Sequence, residues 1–189
     1  MQWTYKQKRC HWVNLNNQLY INYHDQEWGK AIHEDQILFE MLLLECFQAG
    51  LSWECILNKR EGFRKAFDSF NLDKICNYDS QKIIELQNNP EIIRNRLKIQ
   101  AAVNNANVFR NIQMEWSSFS KYLWHWTKDQ VIYETGKTQS DLSNQISKDL
   151  KKKGMKFVGS TTIYAYLQAV GVINSHEKDC FLFFDKTSK

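Results

Sequence analysis

Seven glycines and a single proline, Pro90, punctuate 189 residues, far fewer turn-formers than an all-β chain of this size would need. The scarcity points to helices joined by short connections. The length matches one ordinary domain or two small ones closely packed, and suffices for a sizeable core. With 43% hydrophobic and 24% charged residues the composition is globular, which excludes disorder and collagen. Seven Trp, eight Tyr and eleven Phe make the chain rich in aromatics. The net charge of +4 favours polyanions mildly and decides nothing by itself.

The longest apolar run, around Leu42 to Leu44, is cut by Glu40 and Glu45, far short of the roughly 20 residues of a membrane span. No membrane partner is expected. Met1 to Arg9 is polar and basic without an apolar stretch, so a cytosolic location is expected. In a reducing compartment the odd count of five cysteines favours free thiols or metal ligands over a disulfide framework.

Asp35 is placed to cap a helix carrying Ile37, Leu38, Met41, Leu42, Leu44 and Ala49, with Gly50 as its stop. Ser52 opens a second, carrying Trp53, Ile56 and Leu57 and continuing past Gly62 to Phe63 and Phe67. Asp79 opens a third over Ile83, Ile84 and Leu86, broken by Asn88, Asn89 and Pro90. A short helix is then expected at Ile92 and Ile93, turning near Arg96 and restarting around Lys98 toward Phe109. After the aromatic cluster from Trp116 to Trp126, Glu134 to Ser140 reads as a surface loop and Asp141 to Lys153 as an amphipathic helix stopped by Gly154. Ser160 can cap a last helix from Thr161 to Val170, although Thr161, Thr162, Ile163 and Tyr164 also suit a strand. Without repeat or linker, residues 1–189 read as one all-α domain.

Three constellations can carry chemistry. Glu45 follows Met41 by four and Leu42 by three, on the core face of its helix. A carboxylate there needs a hydrogen-bond partner, a positive charge or a ligand, and a structural pairing with a buried Tyr, Trp or Arg is the plain alternative. Tyr20, Tyr23, Trp28 and Trp53 flank it in sequence and could line a flat slot suited to a nucleobase, or simply pack as core. The second constellation is Cys10 and His24 with His176 and Cys180, two thiols and two imidazoles that suit tetrahedral zinc, the latter pair at a helix-compatible spacing. Such a site would be structural and tie the chain ends together. Cys46, Cys55 and Cys76 read as small core hydrophobes. The third is the turn from Pro90, where Arg94, Arg96 and Lys98 precede or open a helix and could hold phosphate, or be a solvated turn.

The motifs run in order along nearly the whole chain. They begin with Arg9-Cys10-His11-Trp12-Val13 and Tyr20-Ile21-Asn22-Tyr23-His24-Asp25-Gln26-Glu27-Trp28-Gly29. Leu38-Phe39-Glu40, Leu44-Glu45-Cys46-Phe47-Gln48-Ala49-Gly50-Leu51-Ser52-Trp53 and Ile92-Ile93-Arg94-Asn95-Arg96 follow. The series closes with Lys98-Ile99, Lys156-Phe157-Val158-Gly159 and the segment His176 to Cys180. Together they resemble the bacterial 3-methyladenine DNA glycosylase I family.

The resemblance implies an all-helical helix-hairpin-helix glycosylase architecture, with one structural zinc on Cys10, His24, His176 and Cys180. It places the base-recognising glutamate on Glu45 and the pocket aromatics on Tyr20, Tyr23, Trp28 and Trp53, with Trp53 stacking on the flipped base and Glu45 and Tyr23 holding its polar edge. Gly50 and Leu51 match the turn pressed into DNA at the lesion, and Arg94, Arg96 and Lys98 fall on the backbone-binding hairpin. The implied partner is alkylated double-stranded DNA, engaged by a monomer in the bacterial cytosol. No proline follows Pro90, so the Gly-Pro landmark and catalytic aspartate of other helix-hairpin-helix glycosylases are missing and no lyase step is expected. Leu97 stands where the family often has glycine, and leucine resists the left-handed turn that glycine permits; Cys46 is a second such departure. The nine residues before Cys10 form a basic extension in which Lys6, Lys8 and Arg9 could attract DNA. Two other readings are a catalytically silent, zinc-tied DNA-binding module and a glycosylase for a different damaged base.

Overall fold

A computed structural model describes residues 7–184, so Lys6 of the basic extension lies outside the described residues. The chain is mostly helical. It begins with α1 (Gln18–Gln26), α2 (Asp35–Gln48), α3 (Trp53–Asn58) and α4 (Arg60–Ala66). After a 3-10 turn at Asp68–Phe70 come α5 (Leu72–Cys76), α6 (Ser80–Asn88), α7 (Arg96–Trp116) and α8 (Phe119–His125). α9 (Asp141–Lys152) and α10 (Ser160–Ala169) complete the helices. Strand β1 (Ile132–Tyr133) pairs in parallel with β2 (Ile173–Asn174), in register Ile132 to Ile173.

Helix α2 is the axis of the fold. Every residue from Leu38 to Phe47 is buried, so the apolar stripe seen in the sequence is a helix enclosed on all sides. It packs against α7, α8 and α10, with the rings of Phe39 and Phe109 4.9 Å apart and those of Phe47 and Phe63 4.8 Å apart. Asp35 does not cap this helix. Its carboxylate accepts from the Phe119 and Ser120 backbone N–H groups at 2.8 and 2.7 Å, capping α8 from a distance. Gly50 ends α2 with φ +82°, a left-handed conformation that glycine adopts without strain.

Several boundaries differ from those expected. The helix opened by Ser52 breaks at Lys59, dividing α3 from α4, and the Lys59 ammonium donates to Pro90 O at 2.8 Å. No helix forms at Ile92 and Ile93: Asn89 accepts from Glu91 N–H through its own side chain at 2.9 Å, and Ile92 is drawn into the core. The connection between α6 and α7 is therefore a turn over residues 89–95, and α7 runs to Trp116 instead of Phe109. Leu97 is the second residue of α7 without positive φ, so no left-handed turn is required of it. The last helix forms as a helix, starting at Ser160 itself, because Ile163, Tyr164, Tyr166 and Leu167 keep a buried helical face.

Candidate base pocket and metal-ligand cluster

α1, α2 and α3 converge on a cavity of about 300 Å³, at the small end of ligand-site volumes. Tyr20, Tyr23, Trp28, Glu45 and Trp53 all line it, so the structure brings the five side chains singled out for a base into one slot. Tyr23 is buried and its ring lies 5.1 Å from that of Trp53. Trp28 stands edge-on to Trp12 at 4.8 Å, and Trp12 to Tyr20 at 5.4 Å, tilted. Burial pushes the Tyr23 hydroxyl pKa well up, with the Glu45 charge adding to it, so the phenol stays a hydrogen-bond donor.

Sequence reasoning missed Trp12, Gln48 and Gln168 in the lining. Gln48 had a signal, being three residues from Glu45 on the same helix. Trp12 had a weaker one, an aromatic two residues past Cys10. Gln168 comes from α10, far along the chain, and nothing local announces it.

Two buried acids on α2 separate structure from chemistry. Glu40 accepts from Arg60 Nε at 2.6 Å and Arg64 Nη2 at 2.8 Å, and Arg60 also bonds Glu27 at 2.6 Å. That is the structural pairing a buried carboxylate needs. Glu45, 3% exposed, has no such partner, and its Oε2 is buried without a hydrogen bond. Burial alone raises its pKa to about 8. An unpaired acid aimed into an aromatic slot is what a ligand site looks like before its ligand.

On the edge beside the slot, Leu51 is 40% exposed just past the α2 stop. Arg94 is exposed on the turn before α7 and Arg96 is exposed as the first residue of α7, whose first turn is capped by the Asn95 side chain accepting from Lys98 N–H at 3.1 Å. Lys98 itself does not face solvent. It is 7% exposed, and its ammonium donates to Phe47 O at 2.8 Å and Ala49 O at 2.5 Å. This corrects its expected role, because a buried ammonium satisfied by two carbonyls is not available to a phosphate. Lys8 and Arg9 likewise pair with Asp179 at 2.6 Å and Asp25 at 2.6 Å.

Cys10, His24 and Cys180 place their ligand atoms within 4.8 Å of one another. His24 donates Nδ1–H to Asp25 at 2.7 Å, since a carboxylate only accepts, and its Nε2 accepts from the Cys10 backbone N–H at 3.4 Å. The His176 ring centroid is 5.2 Å from that of His24. Asn174 gives its amide N–H to Gly29 O at 3.3 Å, so its oxygen must accept from His176 Nδ1 at 3.0 Å. The remaining His176 Nε2 is buried with no partner. Burial and the nearby His24 keep this imidazole neutral, lowering its pKa to about 4. His176 and Cys180 lie in the turn-rich segment after β2, not on a helix.

The methyladenine glycosylase family model matches residues 12–183. A DNA-3-methyladenine glycosylase of Haemophilus influenzae is 38% identical over 178 residues, spanning 91% of this chain and 96% of its own. A crystal structure of 3-methyladenine DNA glycosylase I superposes with a TM-score of 0.90 at 38% identity, covering 94% of this chain and 100% of that one. A structure of the Staphylococcus aureus enzyme, determined for the structural basis of 3-methyladenine recognition, superposes with a TM-score of 0.84 at 37% identity, covering 87% and 90%.

Proposed function

The chain belongs to the methyladenine glycosylase family, and from that premise we infer that it is a DNA-3-methyladenine glycosylase, hydrolysing the N-glycosidic bond of 3-methyladenine in alkylated DNA. The observation that carries this reading is Glu45, buried, unpaired and aimed into an aromatic slot. Flipping a base costs a few kcal/mol, least for a damaged one, and stacking on a ring such as Trp53 returns ~1–3 kcal/mol.

Discrimination follows from charge. With its pKa at about 8, Glu45 is mostly protonated at neutral pH when no cation faces it. A base made cationic by N3 methylation favours the carboxylate, so binding and ionisation reinforce each other. A neutral adenine supplies no such gain. Tyr23, held as a donor, can bond the polar edge. When the bond from C1′ to the base breaks, its electron pair neutralises the base. Water then adds to C1′ and releases a proton to solvent. Because the leaving group departs neutral, little acid catalysis is needed. The only proline is Pro90, and without the Gly-Pro landmark that accompanies strand cleavage in other helix-hairpin-helix glycosylases we read the reaction as hydrolysis without strand cleavage.

The same reading makes α6, the turn over residues 89–95 and α7 a helix-hairpin-helix that grips one strand through Arg94 and Arg96, with Leu51 filling the vacated stack. A monomer acting in the cytosol fits this task. Cys10, His24 and Cys180, whose ligand atoms cluster, and His176, whose buried Nε2 is orphaned beside the His24 ring, fit a structural zinc: two thiols and two imidazoles, each imidazole with Nδ1 fixed by a partner. Bound there, the metal would cross-link the N- and C-terminal segments. It would also set the slot wall, since Trp28 packs 4.7 Å from the His176 ring. Chromatography of bases freed from methylated duplex DNA tests the activity: 3-methyladenine should appear, and its absence would remove the assignment. Metal analysis of the purified protein should give about one zinc per chain.

A further inference from the structure

Lys98 joins two parts of the molecule that the glycosylase reading assigns to DNA. Its backbone N–H is held by the hairpin residue Asn95 at 3.1 Å, and its ammonium holds the Phe47 and Ala49 carbonyls. Ala49 immediately precedes Gly50 and Leu51. These are terminal carbonyls of α2, which lack helical partners and favour a cation. The Phe157 ring lies 5.9 Å from the same ammonium.

The turn that Lys98 holds has little else to fix it. A Cβ on Gly50 would meet nothing within 4 Å, Leu51 is an exposed leucine, and its backbone N–H reaches only back to Gln48 O at 2.6 Å. A wedge in so open a place needs its position set from below.

We propose that Lys98 is a positioning residue that couples the Arg94–Arg96 hairpin to the Leu51 wedge, so that seating the hairpin on the phosphate backbone fixes where Leu51 enters the base stack. This rests on the glycosylase reading. The wedge matters in duplex DNA, where a flipped base leaves a gap beside a partner strand, and little in single strands or for a free base. Loss of Lys98 should therefore penalise duplex substrate selectively.

The test compares Lys98→Met, Leu51→Ala and the double variant for excision of 3-methyladenine from methylated duplex and from methylated single strands. Binding of free 3-methyladenine is followed by tryptophan fluorescence. Lys98→Met should lower duplex excision about tenfold with free-base affinity and single-strand excision within about twofold, and the double variant should be no worse than Leu51→Ala, as residues acting as a unit are non-additive. Asn95→Ala loosens the hairpin end at an exposed position and should give a smaller loss of the same kind, which decides the matter if Lys98→Met does not fold. Wild-type duplex excision in folded Lys98→Met or in Asn95→Ala, an equal loss on all three readouts, or losses that multiply in the double variant would overturn the coupling. An inactive wild-type protein would instead strike the glycosylase reading itself.

Discussion

His24 gives its Nδ1–H to Asp25 at 2.7 Å and so turns Nε2 toward Cys180 Sγ, 3.4 Å away. Asp25 is held in turn by Arg9 through Nε at 2.8 Å and Nη2 at 2.6 Å. Partial burial would raise the Asp25 pKa, but hydrogen bonds from Arg9 and His24 outweigh it and hold the carboxyl below its usual range. If the proposed zinc binds, this is the outer support that would orient His24 as its ligand. Asp25→Asn should weaken zinc binding about 10- to 100-fold, measured by competition with a chromophoric chelator. Undiminished affinity would show that Asp25 does not support the site.

Gly29 has φ +75°, and a Cβ placed on it would lie 2.8 Å from His176 Cε1. Gly29→Ala should therefore displace the His176 ring and strain the backbone, with strain alone costing on the order of 1–3 kcal/mol. Urea unfolding of the metal-loaded protein gives the stability loss, and metal content gives the effect on the ligand set. Wild-type values for both would separate Gly29 from the cluster.

The burial that raises Glu45 to about 8 also sets a pH dependence of stability. The folded state holds a proton on Glu45 that the unfolded chain has released above its ordinary value of 4.5. Stability is thus lost progressively as pH rises from about 4.5 toward 8. Glu45→Gln removes this loss, so its midpoint advantage over wild type should widen between pH 5 and pH 8, at roughly 2–4 °C per kcal/mol for a chain of this size. Thermal melts across that range check it, and a constant difference would mean Glu45 is ionised in the free protein.

Arg94, on the hairpin turn, and Arg96, which opens α7, are both exposed. Replacing either with Gln should weaken duplex binding at all sequences and reduce the slope of log K against log salt by about 0.9. Fluorescence anisotropy on a duplex with an abasic-site analogue measures both, and an unaltered slope would take that arginine out of contact with phosphate.

Helices α2, α3, α6 and α9 and the aromatics flanking Glu45 were legible in sequence because they rest on local patterns, whereas α1, α5 and α8 were not read as helices. Examples are the apolar run of α2 ended by Gly50 and the caps at Asp79 and Ser52, which accept from Lys82 and Cys55 N–H. What local patterns could not carry was the direction of polar side chains with distant partners. Asp35 sits one residue inside its own helix and caps α8 instead. Lys98 stands among surface arginines yet turns inward, because the carbonyls that end α2 lie beneath it. Glu40 and Glu45 look alike on one helix, and only tertiary structure shows that Arg60 serves the first and leaves the second free.

The selectivity of the enzyme is assigned here to one carboxyl group, so the most direct measurement is single-turnover release of 3-methyladenine from methylated duplex DNA by wild type and Glu45→Gln, with binding to an abasic-site duplex measured alongside. A hydrogen bond to a charged group contributes ~1.5–3 kcal/mol, so Glu45→Gln should slow release by about 10- to 150-fold while duplex binding stays within about twofold. Release by Glu45→Gln at the wild-type rate would contradict the assignment.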